Sequence, residues 1–229
     1  MTARGVFIAG TDTGVGKTVV ACAVLQGLSE LGLRVAAMKP VAAGATRRRG
    51  VWHHDDVVQL RAAANVDVPL AWTNPYCFAP AVAPHIAAHE AGATLRMALI
   101  AKKYAQLAGR ADVVVVEGVG GLLVPLGRRF NAADIPLRLE LPVVLVVGLR
   151  LGCLNHALLT VEALQARGLR LAGWIVNRID PDMARAAENL QALRSWLKAP
   201  LLGDIAYTKK LRLERVVRVL DIKRLNAVI

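Results

Sequence analysis

The chain has 229 residues, 55% of them hydrophobic, and a formal net charge of +12 at neutral pH. This length suits one large α/β domain or at most two small ones, and the apolar runs, such as residues 141–149, are too short to span a bilayer. Basic residues are dispersed outside residues 47–49 and the C-terminal segment, with few aromatic residues among them, which argues against nucleic acid as the main partner.

A glycine-rich loop follows the first predicted strand and ends in Gly16-Lys17-Thr18 at the start of a predicted helix. Backbone N–H groups of such a loop bind phosphate, Lys17 is placed to reach the β- and γ-phosphates, and the Thr18 hydroxyl can ligate Mg²⁺. Five residues separate Gly10 from Gly16, one more than in the general pattern. The pattern predicts nucleotide binding, against the alternative of a glycine-rich turn with a chance Lys-Thr pair. Because the loop begins where the apolar core of a signal peptide would continue, we expect no signal peptide and a cytoplasmic protein.

Short apolar, β-branched segments alternate with helical patterns along the rest of the chain. This alternation predicts an α/β fold with a doubly wound, mostly parallel sheet of P-loop NTPase (Rossmann-like) architecture. We expect one domain over residues 1–229, in which residues 207–229 form a basic C-terminal tail. The predicted strands lie near residues 5–9, 34–38, 112–117, 142–147, 171–176 and 201–205, and the predicted helices near residues 17–31, 55–64, 94–109, 155–168 and 182–197.

Polar or glycine-rich residues stand at the carboxyl ends of five predicted strands. In an open parallel sheet these ends lie along one edge, where ligands bind. The coincidence predicts a single site at that edge. Beyond the glycine-rich loop, the residues are Lys39-Pro40, residues 117–121, Gly148 with residues 151–156, and Asn177.

Three ionisable residues in or near these clusters have chemistry that suits phosphate transfer. Lys39 precedes a proline, which favours an extended backbone, and its ammonium could bind a substrate anion or developing phosphoryl charge. A surface lysine that closes a strand is an equal interpretation. Glu117 and Asp56 supply the hard oxygen ligands that Mg²⁺ prefers. The alternatives are a buried ion pair for Glu117 and a helix N-cap for Asp55 or Asp56.

Histidine and cysteine patterns predict neither a zinc site nor a catalytic triad. The five histidines have no repeated metal-binding spacing, and no Ser-His-Asp or Cys-His arrangement is evident. The three cysteines are odd in number and lack metal spacing, so we expect reduced thiols, mostly in the core. These residues are His53, His54, His85, His89, His156, Cys22, Cys77 and Cys153.

Taken in order, segments from the N-terminus to about residue 206 resemble the dethiobiotin synthetase family. The glycine-rich loop alone is shared with related ATPases, whereas the ordered set is specific, and the family's loop has the longer glycine spacing found here. The segments that carry the resemblance are Gly-Thr-Asp-Thr-Gly-Val-Gly-Lys-Thr (10–18), Lys-Pro-Val-Ala (39–42), Asn-Pro-Tyr (74–76), Ala-Pro-His-Ile (83–86), Val-Glu-Gly-Val-Gly-Gly (116–121), Leu-Gly-Cys-Leu-Asn-His (151–156), Ala-Gly-Trp-Ile-Val-Asn (172–177) and Pro-Leu-Leu-Gly (200–203).

The resemblance implies an ATP-dependent enzyme that closes a cyclic urea, with Mg²⁺ as cofactor and ATP as co-substrate. Its substrates would be 7,8-diaminononanoate, CO₂ or bicarbonate, and ATP, and its products dethiobiotin, ADP and phosphate. A carbamate formed from one substrate amine attacks the γ-phosphate, and the second amine then attacks the resulting carbamic-phosphoric anhydride. The family also implies a homodimer with sites at the interface.

The resemblance assigns roles to residues at matching positions. Lys17 and Lys39 would be catalytic, stabilising negative charge on the carbamate and the transferring phosphoryl group, and Asn177 would hydrogen-bond the adenine edge. The metal ligands would be Thr18, Asp56 and Glu117. The nucleotide-binding residues would be Thr13, Gly14, Val15, Gly16, Lys17, Thr18, Val19, Asp56, Glu117, Gly118, Val119, Gly120, Asn177, Arg178, Ala206 and Tyr207. The substrate-binding residues would be Thr13, Lys39, Ala43, Gly120 and Gly121, together with Leu151 and Asn155, which would reach the neighbouring subunit's diamine.

The sequence departs from the family pattern in three places. Ala43 stands where the family usually has a serine whose hydroxyl contacts substrate, a loss of about 1 kcal/mol of binding. Ala206 replaces a proline. The family's acidic nucleotide contact has Glu214 as its candidate here, so nucleotide preference stays open.

Two other functions stay open on the sequence. A switch ATPase of the related partitioning type would bind DNA or a protein partner, but such proteins often carry an additional lysine early in the loop, and residues 10–14 contain none. A degenerate homologue would bind nucleotide without catalysis. Against it, the residues on which the reaction depends are all present, namely Lys17, Thr18, Lys39, Asp56 and Glu117.

Overall fold

The computed structural model of the protein describes residues 3–48 and 50–229. In this part of the chain, helices separate the six predicted strands, as expected, and short unpredicted strands lie among them. The strands are β1 (Arg4–Gly10), β2 (Val35–Met38), β3 (Val41–Ala43), β4 (Thr46–Arg48), β5 (Val51–His53), β6 (Tyr76–Phe78), β7 (Val113–Glu117), β8 (Val143–Leu149), β9 (Leu171–Arg178) and β10 (Leu201–Ile205). The helices are α1 (Lys17–Glu30), α2 (Asp55–Ala63), α3 (Leu70–Thr73), α4 (Pro84–Glu90), α5 (Met97–Ala108), α6 (Asp134–Leu139), α7 (Cys153–Ala166), α8 (Ala186–Trp196), α9 (Leu213–Val219) and α10 (Ile222–Val228).

Six strands form one sheet in the order β10-β9-β8-β1-β7-β2, and every neighbouring pair is parallel. These are the six strands predicted from the sequence, so the α/β prediction is confirmed. Because all six run in the same direction, their carboxyl ends share one edge of the sheet. Two smaller sheets, β3 with β6 and β4 with β5, were not predicted, since three-residue strands show no usable period.

The strand β7 shows why the sheet is buried on both faces. All five of its residues are buried. Val114 and Val116 join the core on one face, while Val113 and Val115 join the core on the other, as the two-residue period of a strand requires. Helices α5, α7 and α8 contribute to the first core, and α1, α2, α9 and α10 contribute to the second. The sheet is therefore doubly wound, as predicted.

The C-terminal segment is packed into the fold. Helices α9 and α10 bury Val216, Ile222 and Leu225 in the same core as α1. Gly27 of α1 permits the close approach, because a Cβ there would lie 2.6 Å from Cγ1 of Ile222. Sequence patterns missed both helices because each is only seven residues long. The basic side chains of this segment are exposed, namely Lys209, Lys210, Arg212, Arg215, Arg218, Lys223 and Arg224.

All five predicted helices are present, with shifted starts for two of them. The helix α5 begins at Met97 rather than near residue 94, and the hydroxyl of Tyr76 accepts a hydrogen bond from the N–H of Arg96 at 2.9 Å before it. The helix α8 begins at Ala186 rather than near residue 182, because the Asp180 side chain holds a turn there. Across the described residues, no helix combines the length and apolar character needed to cross a membrane.

Candidate active site

The phosphate loop joins β1 to α1 and depends on glycines with left-handed backbone. Gly14 has φ +75° and Gly16 has φ +94°, conformations that other residues rarely adopt. A Cβ at Gly16 would lie 2.3 Å from Nδ2 of Asn177. That nitrogen donates a hydrogen bond to the Val15 carbonyl at 2.9 Å. Asn177, at the end of β9, therefore holds the phosphate loop in place.

Lys17 lies inside this loop, where a bound phosphate would meet it. Its Nζ donates a hydrogen bond to the backbone carbonyl of Asp12 at 2.8 Å. Burial, and then the nearby ammonium of Lys39, lower the pKa of Lys17 to about 8. The side chain therefore remains mostly protonated at neutral pH.

A cluster of charged side chains forms where β2, β7 and α2 meet. Lys39 is 3% exposed, and its ammonium forms an ion pair with Oε1 of Glu117, which is 1% exposed. The same ammonium lies 3.0 Å from Oδ2 of Asp56 and 3.3 Å from the carbonyl oxygen of Gly118. The interpretation of Lys39 as a surface lysine is therefore wrong, and the buried ion pair considered for Glu117 is present.

These contacts fix the charge states in the cluster. Burial by itself would lower the pKa of Lys39, but the carboxylates of Glu117 and Asp56 raise it above its ordinary value. Burial would raise the pKa of Asp56, but the Lys39 ammonium beside it brings that pKa below its ordinary value. The cluster therefore presents a protonated lysine and an ionised aspartate at neutral pH.

The three predicted metal ligands lie together, and their oxygens fit Mg²⁺. The Thr18 hydroxyl donates a hydrogen bond to Oε1 of Glu117 at 2.9 Å, and Asp56 joins them through Lys39. The other oxygen of Glu117, Oε2, is buried without a hydrogen-bond partner in the described residues. A buried acceptor without a protein partner is available to an ordered water or a bound ion, and one hydroxyl with two carboxylates suits an ion that takes few protein ligands.

At the start of α2, Asp56 rather than Asp55 belongs to this cluster. The Asp55 side chain is 84% exposed and points away. The N-cap of α2 is His54, whose Nδ1 accepts a hydrogen bond from the N–H of Asp56 at 3.2 Å. The N-cap alternative for the two aspartates is therefore wrong. The sequence does not indicate this cap, because histidine is not among the usual N-cap residues.

A cleft of about 740 Å³ joins the phosphate loop to the charged cluster. Its volume suits a small molecule. Gly120 lies on its wall with φ +60°, and a Cβ there would lie 2.6 Å from Cγ2 of Val124. The predicted residues that line the cleft are Thr13, Gly14, Gly16, Lys17, Thr18, Val19, Lys39, Ala43, Asp56, Val119 and Gly120.

At the ends of β9 and β10, four predicted nucleotide-binding residues lie outside the lining of this cleft, namely Asn177, which was predicted for the adenine, Arg178, Ala206 and Tyr207. Asn177 contacts the loop as described, and the Arg178 guanidinium makes two hydrogen bonds to Asp204, at 2.8 and 2.7 Å. Ala206 and Tyr207 follow β10 and are exposed. Of these four residues, Asn177 is thus tied to the phosphate loop, and Arg178 is tied to β10.

Leu151 and Asn155 lie at the start of α7, outside the cleft lining. Leu151 is 89% exposed, and Asn155 is also exposed. Just before them, the guanidinium of Arg150 lies 2.5 Å from Oδ2 of Asp12. This link from the end of β8 to the phosphate loop was not predicted, although Arg150 follows a strand at the functional edge of the sheet.

Comparisons with known proteins agree with this geometry. A family model described as an AAA domain matches residues 4–215. Among solved structures, the chain is similar to the MinD cell division protein of Aquifex aeolicus, with 18% identity, a TM-score of 0.59 and 98% of each chain covered. It is also similar to a cobyrinic acid a,c-diamide synthase of Mycobacterium smegmatis with bound ADP and magnesium, with 19% identity, a TM-score of 0.57, and 94% of this chain and 91% of that chain covered. Both likenesses confirm the P-loop NTPase fold.

One relative is much more similar in sequence. The ATP-dependent dethiobiotin synthetase BioD of Aromatoleum aromaticum is 56% identical over 204 residues, which cover 89% of this chain and 91% of that protein. The similarity therefore extends over nearly the full length of both proteins. The chain belongs to the ATP-dependent dethiobiotin synthetase family.

Proposed function

We propose that this protein closes 7,8-diaminononanoate with CO₂ to dethiobiotin, using ATP and releasing ADP and phosphate. The observation that carries the proposal is the buried ammonium of Lys39, held by Asp56 and Glu117 in the cleft beside the phosphate loop. The 56% identity to a dethiobiotin synthetase supports the same reaction.

ATP binds with its phosphates on the phosphate loop and its adenine beside Asn177 at the end of β9. Backbone N–H groups of the loop and the Lys17 ammonium meet the phosphates. Asn177 meets the adenine, and its bond to the Val15 carbonyl orients the amide before the nucleotide arrives. Arg178, with Ala206 and Tyr207, completes the surroundings of the nucleotide.

Thr18, Asp56 and Glu117 would hold Mg²⁺. The unpaired Oε2 of Glu117 and the ionised state of Asp56 support this assignment. When bound, the ion supplies positive charge that neutralises the phosphates during transfer.

Lys39 and Lys17 stabilise the negative charge that develops in the reaction. A carbamate on one substrate amine meets the Lys39 ammonium, which its carboxylate neighbours keep protonated. The carbamate oxygen attacks the γ-phosphorus and ADP leaves, with Lys17 beside the phosphoryl group. The second amine then attacks the carbonyl carbon of the anhydride, and phosphate leaves. Because both ammonium groups are fixed beforehand, no reorganisation is needed as charge develops.

We further infer that the protein works as a homodimer in which each chain completes the other's site. Thr13, Ala43, Gly120 and Gly121 contact the diamine within one chain. Leu151 and Asn155 lie outside the lining of their own cleft and are exposed, so that both are accessible to a second chain. Light scattering should give the mass of a dimer. Mixing an inactive Lys39→Met variant with an inactive Asn155→Asp variant should restore activity in hybrid dimers.

The proposal is tested by incubating the protein with the diamine, labelled bicarbonate, Mg²⁺ and ATP. Mass spectrometry should detect dethiobiotin with the label in the ureido carbon, and phosphate release should require the diamine. Folded protein that forms no dethiobiotin under these conditions refutes the proposal.

The alternatives receive less support. The MinD-like neighbours share the fold at low identity, and the loop has no additional lysine, so a switch ATPase is not favoured. A homologue without catalysis would have no need of the buried Lys39, Asp56 and Glu117 cluster, which is intact.

A further inference from the structure

We propose that His54 is a positioning residue for the reaction, in which its two ring nitrogens fix Asp56 and the backbone of Ala43 relative to each other. The inference rests on the proposed function, since it takes Asp56 as a metal ligand and Ala43 as part of the wall that contacts substrate.

The imidazole of His54 uses both of its nitrogens. Nδ1 accepts a hydrogen bond from the N–H of Asp56 at 3.2 Å, and Nε2 lies 3.1 Å from the carbonyl oxygen of Ala43. An acceptor at Nδ1 and a donor at Nε2 define the neutral tautomer that is protonated at Nε2. The side chain is 14% exposed, so these bonds are largely shielded from water.

The first bond caps α2 and orients the residue that follows. Helices begin with unpaired N–H groups, and serine, threonine, aspartate and asparagine are the preferred caps. Any of these shorter side chains would cap α2, but none is long enough to reach the Ala43 carbonyl as well. The second bond therefore explains why an imidazole stands at this position.

The second bond holds the opposite wall of the cleft. Ala43 ends β3 and lines the cleft, and its side chain has no hydroxyl with which to contact substrate. The backbone of Ala43 therefore shapes this wall, and the Nε2–H of His54 fixes its carbonyl. Nδ1 lies 3.9 Å from Oδ2 of Asp56, beyond hydrogen-bond distance. His54 thus acts on Asp56 through the backbone.

Three substitutions separate the two bonds. His54→Asn keeps an acceptor near the position of Nδ1 and loses the donor to Ala43. His54→Gln keeps a donor near the position of Nε2 and loses the cap, and His54→Ala loses both. The matched control is His89→Asn, which changes an exposed histidine on α4.

Each variant is examined by thermal unfolding, by the Mg²⁺ dependence of binding to a fluorescent ADP analogue, and by kcat and KM for the diamine. We expect the Gln and Ala variants at position 54 to need about 10-fold more Mg²⁺ for half-maximal ADP binding, the scale found when a partner of a metal ligand is lost. His54→Asn should match wild type in this assay but raise the KM for the diamine more than it lowers kcat. His89→Asn should match wild type throughout.

The contrast between the Asn and Gln variants carries the test if His54→Ala does not fold. The proposal would be overturned if both variants kept wild-type Mg²⁺ dependence and wild-type KM, whether or not their thermal stability changed. Because the Mg²⁺–ADP measurement needs no diamine, it tests His54 even if the wild-type protein forms no dethiobiotin. That failure would refute the proposed function by itself.

Discussion

Lys39→Met should destabilise the ligand-free protein as well as abolish turnover. Lys39 and Glu117 are almost fully buried, so methionine would leave a buried carboxylate without its ammonium. Removing one partner of a buried ion pair costs about 3–5 kcal/mol. We expect the lower end, about 3 kcal/mol of unfolding free energy, because the Thr18 hydroxyl still donates to Glu117 at 2.9 Å.

Urea unfolding without metal or nucleotide, followed by tryptophan fluorescence, measures this loss. Glu117→Gln added to Lys39→Met removes the uncompensated charge and should restore much of the unfolding free energy, as a double-mutant cycle would show. Arg185→Met is the control, since it breaks an exposed pair with Glu188 and should leave unfolding unchanged. Mg²⁺ should stabilise Lys39→Met more than wild type, because the two carboxylates then lack their ammonium.

Wild-type urea stability in Lys39→Met, with the double variant no more stable than the single one, would refute this reasoning. That result would mean that Glu117 is not left buried and unpaired when the ammonium is removed. Loss of dethiobiotin formation with retained ADP binding would place the functional role of Lys39 in catalysis.

Further predictions concern the loop, a thiol and the C-terminal helices. Gly16→Ala should abolish binding of fluorescent ADP, because its Cβ would collide with Asn177, whereas Gly32→Ala, also at positive φ but with open space around it, should bind normally. Burial, with nearby carboxylates, raises the pKa of Cys22 to about 12, so at pH 8 a thiol reagent should label it only after unfolding. Burial of the protonated Cys22 thiol stabilises the folded state fully below the unfolded pKa of 9.0. This stabilisation is lost as pH rises toward 12. Deleting residues 213–229 should lower the melting temperature markedly in thermal unfolding, because it exposes the apolar face of α1.

The central sheet could be predicted because its strands are buried on both faces. Such strands read as unbroken β-branched runs, as the four valines of β7 do. The phosphate loop could also be predicted, since its glycines and Lys17 lie close together in the sequence. The short strands β3 to β6 and the helices α9 and α10 could not be, because periodicity needs a longer window than they provide.

The site was harder to predict because its decisive contacts are long-range. Lys39 alone reads equally well as a surface residue, and its burial becomes clear only from Glu117, 78 residues away. The pair of Asp12 and Arg150 spans 138 residues. The choice between Asp55 and Asp56 depends on which side chain the first turn of α2 turns inward, a question of helix phase that the sequence leaves open.

The ion cluster links stability to catalysis in this fold. A buried ammonium is costly unless its charge is compensated, and here two carboxylates supply that compensation. The same compensation raises the pKa of Lys39, so the charge required for the reaction is set by folding, before substrate binds. The cluster also affects Lys17, because burial and then repulsion from the Lys39 ammonium lower the pKa of Lys17. The two lysines therefore differ in basicity because Lys39 lies between carboxylates, whereas burial and repulsion from Lys39 lower the pKa of Lys17.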